Sequence, residues 1–296
     1  MAKRSSNLLG CPPRLPDAPR PLICGRHRLL LGARTLIMGI LNVTPDSFSD
    51  GGRYLDPSAA CERARAMVAE GADLIDVGGE STRPGAAPVA AEEELRRALP
   101  VIQALAPVLP VPLSIDTRKA VVAREALAAG ATLVNDITAL RGDPAMADVV
   151  ASAGVPVILM HMQGTPPTMQ EAPRYDDVVA EVTGWLQEAA AEARAHGVAA
   201  EQILIDPGLG FGKRPEHNLQ LLRHLDRLVG TGYPVVIGPS RKSFVSAVLQ
   251  VGPEERLMGT AAAVAVAVTH GAAIVRVHDV QAMGQVVRLA EAIRRA

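Results

Sequence analysis

The chain has 296 residues, 48% of them hydrophobic, which is enough to bury one large core or two modest ones. Its net charge is −1, and aromatic residues make up only 2% of the chain. These values exclude a general basic surface for nucleic acid or an anionic membrane, and they exclude an aromatic platform that stacks bases.

The first 34 residues are rich in proline and become turn-like around the sequence CGRHR. They predict a mobile tail and then a short hairpin that closes the bottom of the folded domain, so we divide the chain into an extension, 1–34, and one domain, 35–296. No apolar signal segment follows the basic residues near the N-terminus. The three cysteines lack metal-site spacing, which favours reduced thiols in a cytoplasmic protein.

From Thr35 onward, eight short apolar runs alternate with helical patterns. The runs are continuously apolar, which is typical of parallel strands buried on both faces. A glycine that ends a helical pattern precedes six of them: Gly71, Gly130, Gly154, Gly197, Gly232 and Gly271. Eight such βα units predict a closed (β/α)₈ TIM barrel, which typically has about 250 residues. An open doubly wound sheet is the alternative, but no G-x-G-x-x-G follows the first strand.

Several helix starts combine a capping side chain with, in two cases, a following proline. The predicted caps are Asp56, Thr117 and Asp143. The stretch 175–196 predicts one long helix. The uncharged stretch 257–275 is mostly alanine and contains a His-Gly pair, so it predicts a packed helix, a turn and a strand rather than a membrane span.

Every predicted strand ends in polar residues. Because active sites of such barrels lie at the C-terminal ends of the strands, these side chains predict one shared site. One group offers carboxylates and an amide, which suit a flat heterocycle rich in N–H donors: Asp116, Asn135 and Asp206. A second group suits an anion such as a phosphate: Arg83, Arg276 and His278. Lys242 suits either ligand.

Three strand-end features have a structural alternative. Asp76 is either a ligand-binding residue or a buried hydrogen-bonded carboxylate. His161 is interpreted as a residue that orients a loop rather than one that touches substrate. The run GLGFGK is one residue short of a P-loop and lacks the following Ser or Thr, so we reject a P-loop here.

Eight segments occur in order along the chain: GILNVTPDSFSDGG, ESTRPG, SIDT, VNDI, MHMQGTPPTMQ, DPGLGFGK, PSRKSF and RVHDV. Together they resemble the dihydropteroate synthase family, from about Thr35 to the C-terminus. The resemblance implies a barrel enzyme, usually a homodimer, that uses Mg²⁺ and is inhibited by sulfonamides. It implies that 4-aminobenzoate is joined to (7,8-dihydropterin-6-yl)methyl diphosphate, which gives 7,8-dihydropteroate and diphosphate.

The resemblance also implies a role for individual residues. The pterin would be held by Asp116, Asn135, Asp206 and Lys242, with Met160 or Met162 packed against its ring. The aminobenzoate pocket would be lined by Phe48, Thr82, Pro84 and Ser243. The diphosphate would contact Asn42, Arg83, Arg276 and His278, and Asn42 would also bind Mg²⁺. The first loop would act as a lid that brings Asp46 into the closed site. The residues around the reacting atoms would therefore be Asn42, Asp46, Arg83, Lys242, Arg276 and His278.

Two other functions compete with this interpretation. A pterin-binding methyltransferase barrel has the same pterin pocket, but it passes a methyl group to a corrinoid and needs no diphosphate site. A non-catalytic homologue would retain the barrel as a scaffold, and it should have lost ligand positions. The anion-binding group argues against the first alternative, and the presence of every motif argues against the second.

Overall fold

A computed structural model describes residues 19–44, 57–83 and 85–296. A hairpin of two antiparallel strands, β1 (Arg20–Cys24) and β2 (His27–Leu31), precedes a sheet of eight parallel strands. The eight strands are β3 (Leu36–Asn42), β4 (Leu74–Gly78), β5 (Leu113–Asp116), β6 (Leu133–Asp136), β7 (Val157–Met160), β8 (Ile203–Asp206), β9 (Val236–Ile237) and β10 (Ile274–Val277).

The sheet closes on itself. Its strand order is β8-β7-β6-β5-β4-β3-β10-β9, and a parallel bridge between Ile205 and Val235 joins the two end strands. The predicted (β/α)₈ barrel is confirmed, and the doubly wound alternative is wrong.

Helices follow the barrel strands and cover the outside of the sheet. They are α1 (Pro57–Ala69), α2 (Ala91–Leu105), α3 (Ala120–Ala128), α4 (Met146–Ala153), α5 (Val178–Ala195), α6 (Pro215–Arg223), α7 (Leu225–Val229), α8 (Ser243–Leu249), α9 (Leu257–Thr269) and α10 (Val280–Arg295). The stretch 257–275 is the predicted helix, turn and strand. Within the described ranges, none of the helices has the length and apolar character needed to cross a membrane.

The predicted cap of α3 is wrong. The helix begins at Ala120, three residues after Thr117, whose hydroxyl instead accepts from the amide of Lys119 at 3.2 Å. The amide of Ala120 donates to Asp143 Oδ2 at 2.8 Å, so a carboxylate from the next βα loop takes the place of a local cap. The predicted cap of α4 is also wrong: the helix begins at Met146, and Asp143 accepts from the amide of Ala145 at 3.0 Å in the turn that precedes it. The other predicted cap, Asp56, lies outside the described residues.

The interior of the barrel has an apolar lower layer. Side chains from the hairpin and from seven of the strands form this cluster: Leu22, Cys24, Leu31, Leu36, Met38, Leu74, Leu133, Ile158, Leu204, Val236 and Ile274. The hairpin therefore covers the bottom of the barrel, as its place in the sequence predicted. The tail before residue 19 lies outside the described residues, and the division of the chain at residue 34 stays a prediction.

The next inward positions after this apolar layer, toward the C-terminal ends of the strands, carry polar side chains. Because successive inward positions on a strand are two residues apart, Leu74 is followed by Asp76, Leu204 by Asp206 and Ile274 by Arg276. Four of these polar residues are buried, namely Asp76, Asp116, Asn135 and Asp206. The change from apolar to polar places the site at the C-terminal end of the barrel.

Candidate active site at the C-terminal ends of the barrel strands

Arg276 links the carboxylates in the centre of the site. Its Nε donates to Asp76 Oδ2 and its Nη2 to Asp116 Oδ2, each at 2.6 Å. Asn135 Nδ2 donates to the same Asp76 oxygen at 2.9 Å. Asp76 is fully buried, so of its two sequence-based interpretations the structure shows the buried, hydrogen-bonded carboxylate. The sequence grouped Arg276 with the anion-binding residues, and its guanidinium also pairs with Asp116, which the sequence grouped with the predicted heterocycle-binding residues.

Burial controls the ionisation of this cluster. Burial, opposed by the charge of Arg276 and assisted by the Asp76 carboxylate, raises the pKa of Asp116 to about 7. Burial acts to lower the pKa of Arg276, but Asp76 and Asp116 outweigh it and raise that pKa. The Oδ1 atom of Asp116 is buried and has no hydrogen-bond partner within the described part of the chain. An acceptor therefore remains for a ligand that carries an N–H group.

Asp206 and Lys242 form the other side of the pocket. Asp206 Oδ1 accepts from the amide of Gly208 at 2.7 Å. Burial raises the pKa of Asp206, while the Gly208 amide and Lys242 act to lower it. Burial, followed by the charge of Arg276, lowers the pKa of Lys242 to about 8. The ammonium of Lys242 lies 4.0 Å from the centroid of the Phe211 ring.

An apolar cluster stands beside these charges. It contains Ile137, Met160, Met169 and Phe211, with Met162 packed against it. Both methionines that the resemblance assigned to the pterin ring belong to this cluster, and a flat ring can pack on such a surface. The sequence analysis missed Phe211, Ile137 and Met169. Phe211 has a usable signal, because it is one of only three phenylalanines and lies in a glycine-rich loop.

His278 is paired with the turn that follows β9. Its Nδ1 lies 2.9 Å from Ser240 Oγ, and its own amide donates to the same oxygen at 3.2 Å. Arg241 adopts a left-handed backbone conformation with φ of 55°, and its side chain pairs with Asp279 at 2.6 Å. This turn directs Ser240 toward His278 and Lys242 into the pocket. Burial, followed by Arg276 and Arg241, lowers the pKa of His278 to about 3, so its ring is neutral at neutral pH.

Among the residues that the structure describes, the remaining predicted ones lie at the end of a strand or in the segment that follows it, on the rim of the site. A Cβ atom on Gly78 would lie 3.8 Å from Asn42 Oδ1 and 3.6 Å from Asp116 Cβ, so the Asn42 amide borders the carboxylate cluster. Thr82 and the exposed Arg83 lie in the loop between β4 and α2, and Ser243 is the first residue of α8. Three predicted residues lie outside the described ranges: Asp46, Phe48 and Pro84.

Comparisons with known proteins identify the family. Residues 38–278 match the family model of pterin binding enzymes. The dihydropteroate synthase of Synechocystis sp. is 49% identical over 94% of this chain and 96% of its own, and that of Escherichia coli is 50% identical over 86% and 90%. The chain belongs to the dihydropteroate synthase family.

Solved structures of family members have the same fold. The Xanthomonas albilineans dihydropteroate synthase with 4-aminobenzoic acid has a TM-score of 0.88 and 47% identity, and it covers 94% of this chain and 100% of its own. The Yersinia pestis enzyme with a sulfonamide drug complex has a TM-score of 0.89 and 46% identity over 94% of this chain and 100% of its own. These relatives are synthases, so the methyltransferase alternative is not supported.

His161 and Lys213 form a buried pair beside the site, of which the sequence predicted a role only for His161. His161 Nδ1 lies 2.9 Å from Lys213 Nζ, which also donates to the carbonyl oxygen of Phe211 at 2.9 Å. Burial lowers the pKa of Lys213 to about 7, and burial together with Lys213 lowers the pKa of His161 to about 2. The His161 ring also packs edge-on against Trp185, with centroids 4.9 Å apart. These contacts support the interpretation that His161 orients a loop.

The described residues offer limited metal chemistry. They contain no group of three or more His, Cys, Asp or Glu side chains that could hold an ion between them. Asn42 nevertheless offers an amide oxygen, which is a donor of the type that Mg²⁺ accepts, and Mg²⁺ commonly takes further ligands from substrate phosphates and water. The donor set therefore fits an ion that is bound together with a diphosphate.

Proposed function

We propose that this chain joins 4-aminobenzoate to (7,8-dihydropterin-6-yl)methyl diphosphate, and thus makes 7,8-dihydropteroate and diphosphate for folate biosynthesis. One observation carries the proposal: buried acceptors and an apolar cluster lie together at the C-terminal end of a barrel whose relatives are dihydropteroate synthases. The Xanthomonas albilineans relative has been solved in complex with 7,8-dihydropteroate, with a TM-score of 0.85.

The pterin would bind between the acceptors and the apolar cluster. The aminopyrimidine edge of a pterin is a row of N–H donors, and a carboxylate such as Asp206 accepts from two of them at once. The free Oδ1 of Asp116 and the amide of Asn135 supply further polar partners. Lys242 would donate to the ring carbonyl and the N5 region, and Met160 would pack against the ring face.

The diphosphate would lie on the side of Asn42, Arg276 and His278, with Arg83 adding charge from the rim. Because Ser240 Oγ already accepts from the amide of His278, we infer that its hydroxyl hydrogen points at Nδ1. The neutral ring then carries its own hydrogen on Nε2 and can donate it to a phosphate oxygen. Mg²⁺ bound at Asn42 and the phosphates would supply positive charge to the leaving group.

The chemistry requires positioning more than acid–base catalysis. The dihydropterin ring can push electron density onto its exocyclic methylene carbon, so the bond from that carbon to the diphosphate oxygen breaks early. The aniline nitrogen of aminobenzoate then attacks the carbon and loses a proton to water. The residues around the site would hold both substrates, exclude other water and stabilise the departing charge. Lys242, Arg276 and His278 would contribute to this together.

We further propose a cytoplasmic homodimer that sulfonamides inhibit. The exposed apolar side chains of α8 and α9 support a packing face: Val248, Leu249, Leu257, Met258 and Val266. Sedimentation of the purified chain tests the dimer. A Met258→Glu variant should sediment as a monomer, because the side chain of Met258 is 75% exposed on this face.

Diphosphate release tests the activity. Purified protein is mixed with the dihydropterin diphosphate and Mg²⁺, with and without 4-aminobenzoate. Release that depends on aminobenzoate and is blocked by a sulfonamide is expected. If no diphosphate is released although the protein binds the pterin tightly, the proposed synthase activity is refuted. A non-catalytic homologue would then be the better interpretation.

A further inference from the structure

A buried carboxylate closes the loop that carries Thr82 and Arg83. This loop runs from residue 79 to residue 90, between β4 and α2, and we call it the β4–α2 loop. Glu80 Oε1 accepts from the amide of Val89 at 3.2 Å, so a residue at the start of the loop holds a residue at its end. The side chain of Glu80 is only 7% exposed. The base of the loop is therefore drawn together by one carboxylate.

Two cations from the neighbouring strand end hold that carboxylate. Arg118 Nη2 lies 3.1 Å from Glu80 Oε1, and Lys119 Nζ lies 2.5 Å from Glu80 Oε2. Burial acts to raise the pKa of Glu80, but the hydrogen bonds from Lys119 and Arg118 outweigh it and lower that pKa. Glu80 thus stays ionised although it is largely buried.

Lys119 also bonds to Glu94, whose side chain is completely buried in α2. The ammonium therefore joins two carboxylates, one in the β4–α2 loop and one in the helix that follows it. A Cβ atom on Gly79 would lie 2.9 Å from the carbonyl oxygen of Glu94, so the start of the loop packs directly on this part of α2. Without Lys119, Glu80 would keep only Arg118, and the buried carboxylate of Glu94 would lose its ion pair with Lys119.

The β4–α2 loop reaches the mouth of the barrel and the loop that follows β7. The amide of Gly85 donates to the carbonyl oxygen of Pro166 at 3.2 Å, which joins the two loops. Thr82 and Arg83 lie between this tip and the base held by Glu80. A shift of the base would therefore move both of them relative to the pocket.

We propose that Lys119 is a positioning residue for aminobenzoate binding: by joining Glu80 to Glu94, it sets the place of Thr82 and Arg83 at the mouth of the barrel. The inference rests on the proposed function, since it assigns the β4–α2 loop to the second substrate. Lys119 itself touches neither substrate. The pterin residues Asp116, Asn135 and Asp206 lie on strand ends and do not depend on this loop.

The test compares Lys119→Met with the parent chain. KM for 4-aminobenzoate should rise about tenfold, since small displacements of positioning groups have effects of this size or larger. The Kd of a free pterin, measured by titration calorimetry, should stay within about twofold, because its proposed ligands are held by the barrel strands. A role confined to folding would lower the midpoint of unfolding and the amount of active enzyme but would leave KM unchanged.

Two further variants serve as controls. Lys119→Arg should restore most of the aminobenzoate KM, because a guanidinium can also join two carboxylates. Arg96→Met removes a cation from α2 whose side chain is 64% exposed and pairs across the surface with Glu93, so it should leave KM unchanged. Glu80→Gln breaks the same link from the other side and gives the same test if Lys119→Met does not fold.

An unchanged aminobenzoate KM in Lys119→Met and Glu80→Gln would overturn the proposal, as would an equal loss of pterin affinity. Hydrogen exchange of the amides at 81–89 provides a test that does not depend on activity. Exchange there should be faster in Lys119→Met than in Arg96→Met, and equal rates would also overturn the proposal. A parent chain that releases no diphosphate would instead refute the proposed function, and hydrogen exchange would still decide whether Lys119 holds the loop.

Discussion

At the scale of single residues, the centre of the site contains buried charges that stabilise one another. Asp76, Asp116 and Asp206 are almost entirely buried, and Arg276 and Lys242 supply the opposite charge. Desolvation is the first cause of the raised pKa of Asp116 and Asp206, so their ionisation depends on these neighbours. Removal of one partner leaves an uncompensated buried charge, which costs more than the pair contributes.

Asp206→Asn should weaken the binding of a free pterin about 30-fold, because an amide cannot accept two N–H bonds with the strength of a carboxylate. Titration calorimetry measures this loss. Asp148→Asn is the matched control, since the side chain of Asp148 is 77% exposed and lies in α4. An unchanged Kd in Asp206→Asn would remove Asp206 from the pterin site.

His161 should make the protein sensitive to acid. Its pKa in the folded state is about 2, below the ordinary value of 6.5, because it is buried and lies next to Lys213. Between these two pH values the unfolded chain binds a proton that the folded chain does not, so stability is lost as the pH falls below about 6.5.

The His161→Asn variant lacks this titration. Its free energy of unfolding, measured in urea, should fall less between about pH 7 and about pH 5 than that of the parent. His196→Asn, at a side chain that is 55% exposed, should keep the slope of the parent. Equal slopes in all three proteins would assign the acid sensitivity to other groups.

At the scale of elements, the loops after the strands are held by contacts from neighbouring loops. Asp143 completes the start of α3 from the loop after β6, and Lys213 joins the loop after β8 to the end of β7. The Asp143 contact explains why α3 begins at Ala120 rather than near residue 117. The long helix predicted from residue 175 begins at Val178, because the side chain of Asp177 accepts from the amides of Val179 and Ala180. Each helix begins where an acceptor is available, and for α3 that acceptor comes from a distant part of the sequence.

Gly208 lies very close to the backbone of the loop that follows β7. Its φ is +66°, and a Cβ atom there would lie 2.0 Å from the carbonyl oxygen of His161. Its amide also holds Asp206 Oδ1. Gly208→Ala should therefore lower both the free energy of unfolding and the affinity for a pterin.

Gly154 is the control that distinguishes the cost of the left-handed conformation from the cost of the close contact with His161. Its φ of +62° is similar, but no atom lies within 4 Å of a Cβ added there. Gly154→Ala should cost only the left-handed conformation, about 1 kcal/mol. Gly208→Ala should cost at least about 3 kcal/mol in the same urea experiment, since the backbone must also move. Equal losses would mean that the contact with His161 is unimportant.

At the scale of the whole molecule, the apolar layer that stabilises the fold and the polar groups of the site lie at opposite ends of the barrel. The hairpin of β1 and β2 packs under the lower apolar layer, and the polar groups lie at the C-terminal ends of the strands. Changes at the bottom should therefore affect folding without affecting the site.

Leu22→Ala tests this separation. Leu22 is 1% exposed in the hairpin, and its truncation should cost about 3 kcal/mol of unfolding free energy. KM for both substrates should not change at temperatures where the variant is folded. Leu30→Ala is the control from the same hairpin, since Leu30 is 42% exposed and should contribute little. A change of KM in Leu22→Ala would show that the two ends are coupled.

The sequence by itself determined the eight strands, the end of the barrel at which polar groups collect, and the family. These features are local: continuous apolar runs, glycines that end helices, and polar residues that follow each run. A local pattern of this kind is preserved in any register of the sheet, so it can be recognised before the fold is known.

Only the tertiary structure decided which of those groups meet. Arg276 pairs with Asp76, 200 residues away in the sequence, Lys213 contacts His161, and Lys242 lies over Phe211. Each pairing depends on strand register and on which side chains share the barrel interior, and a buried charge must find its partner there because water cannot solvate it. Sequence spacing carries no information about such distances, which is why the pairing of Arg276 with Asp76 and Asp116 was not predicted and why Lys213 and Phe211 were missed.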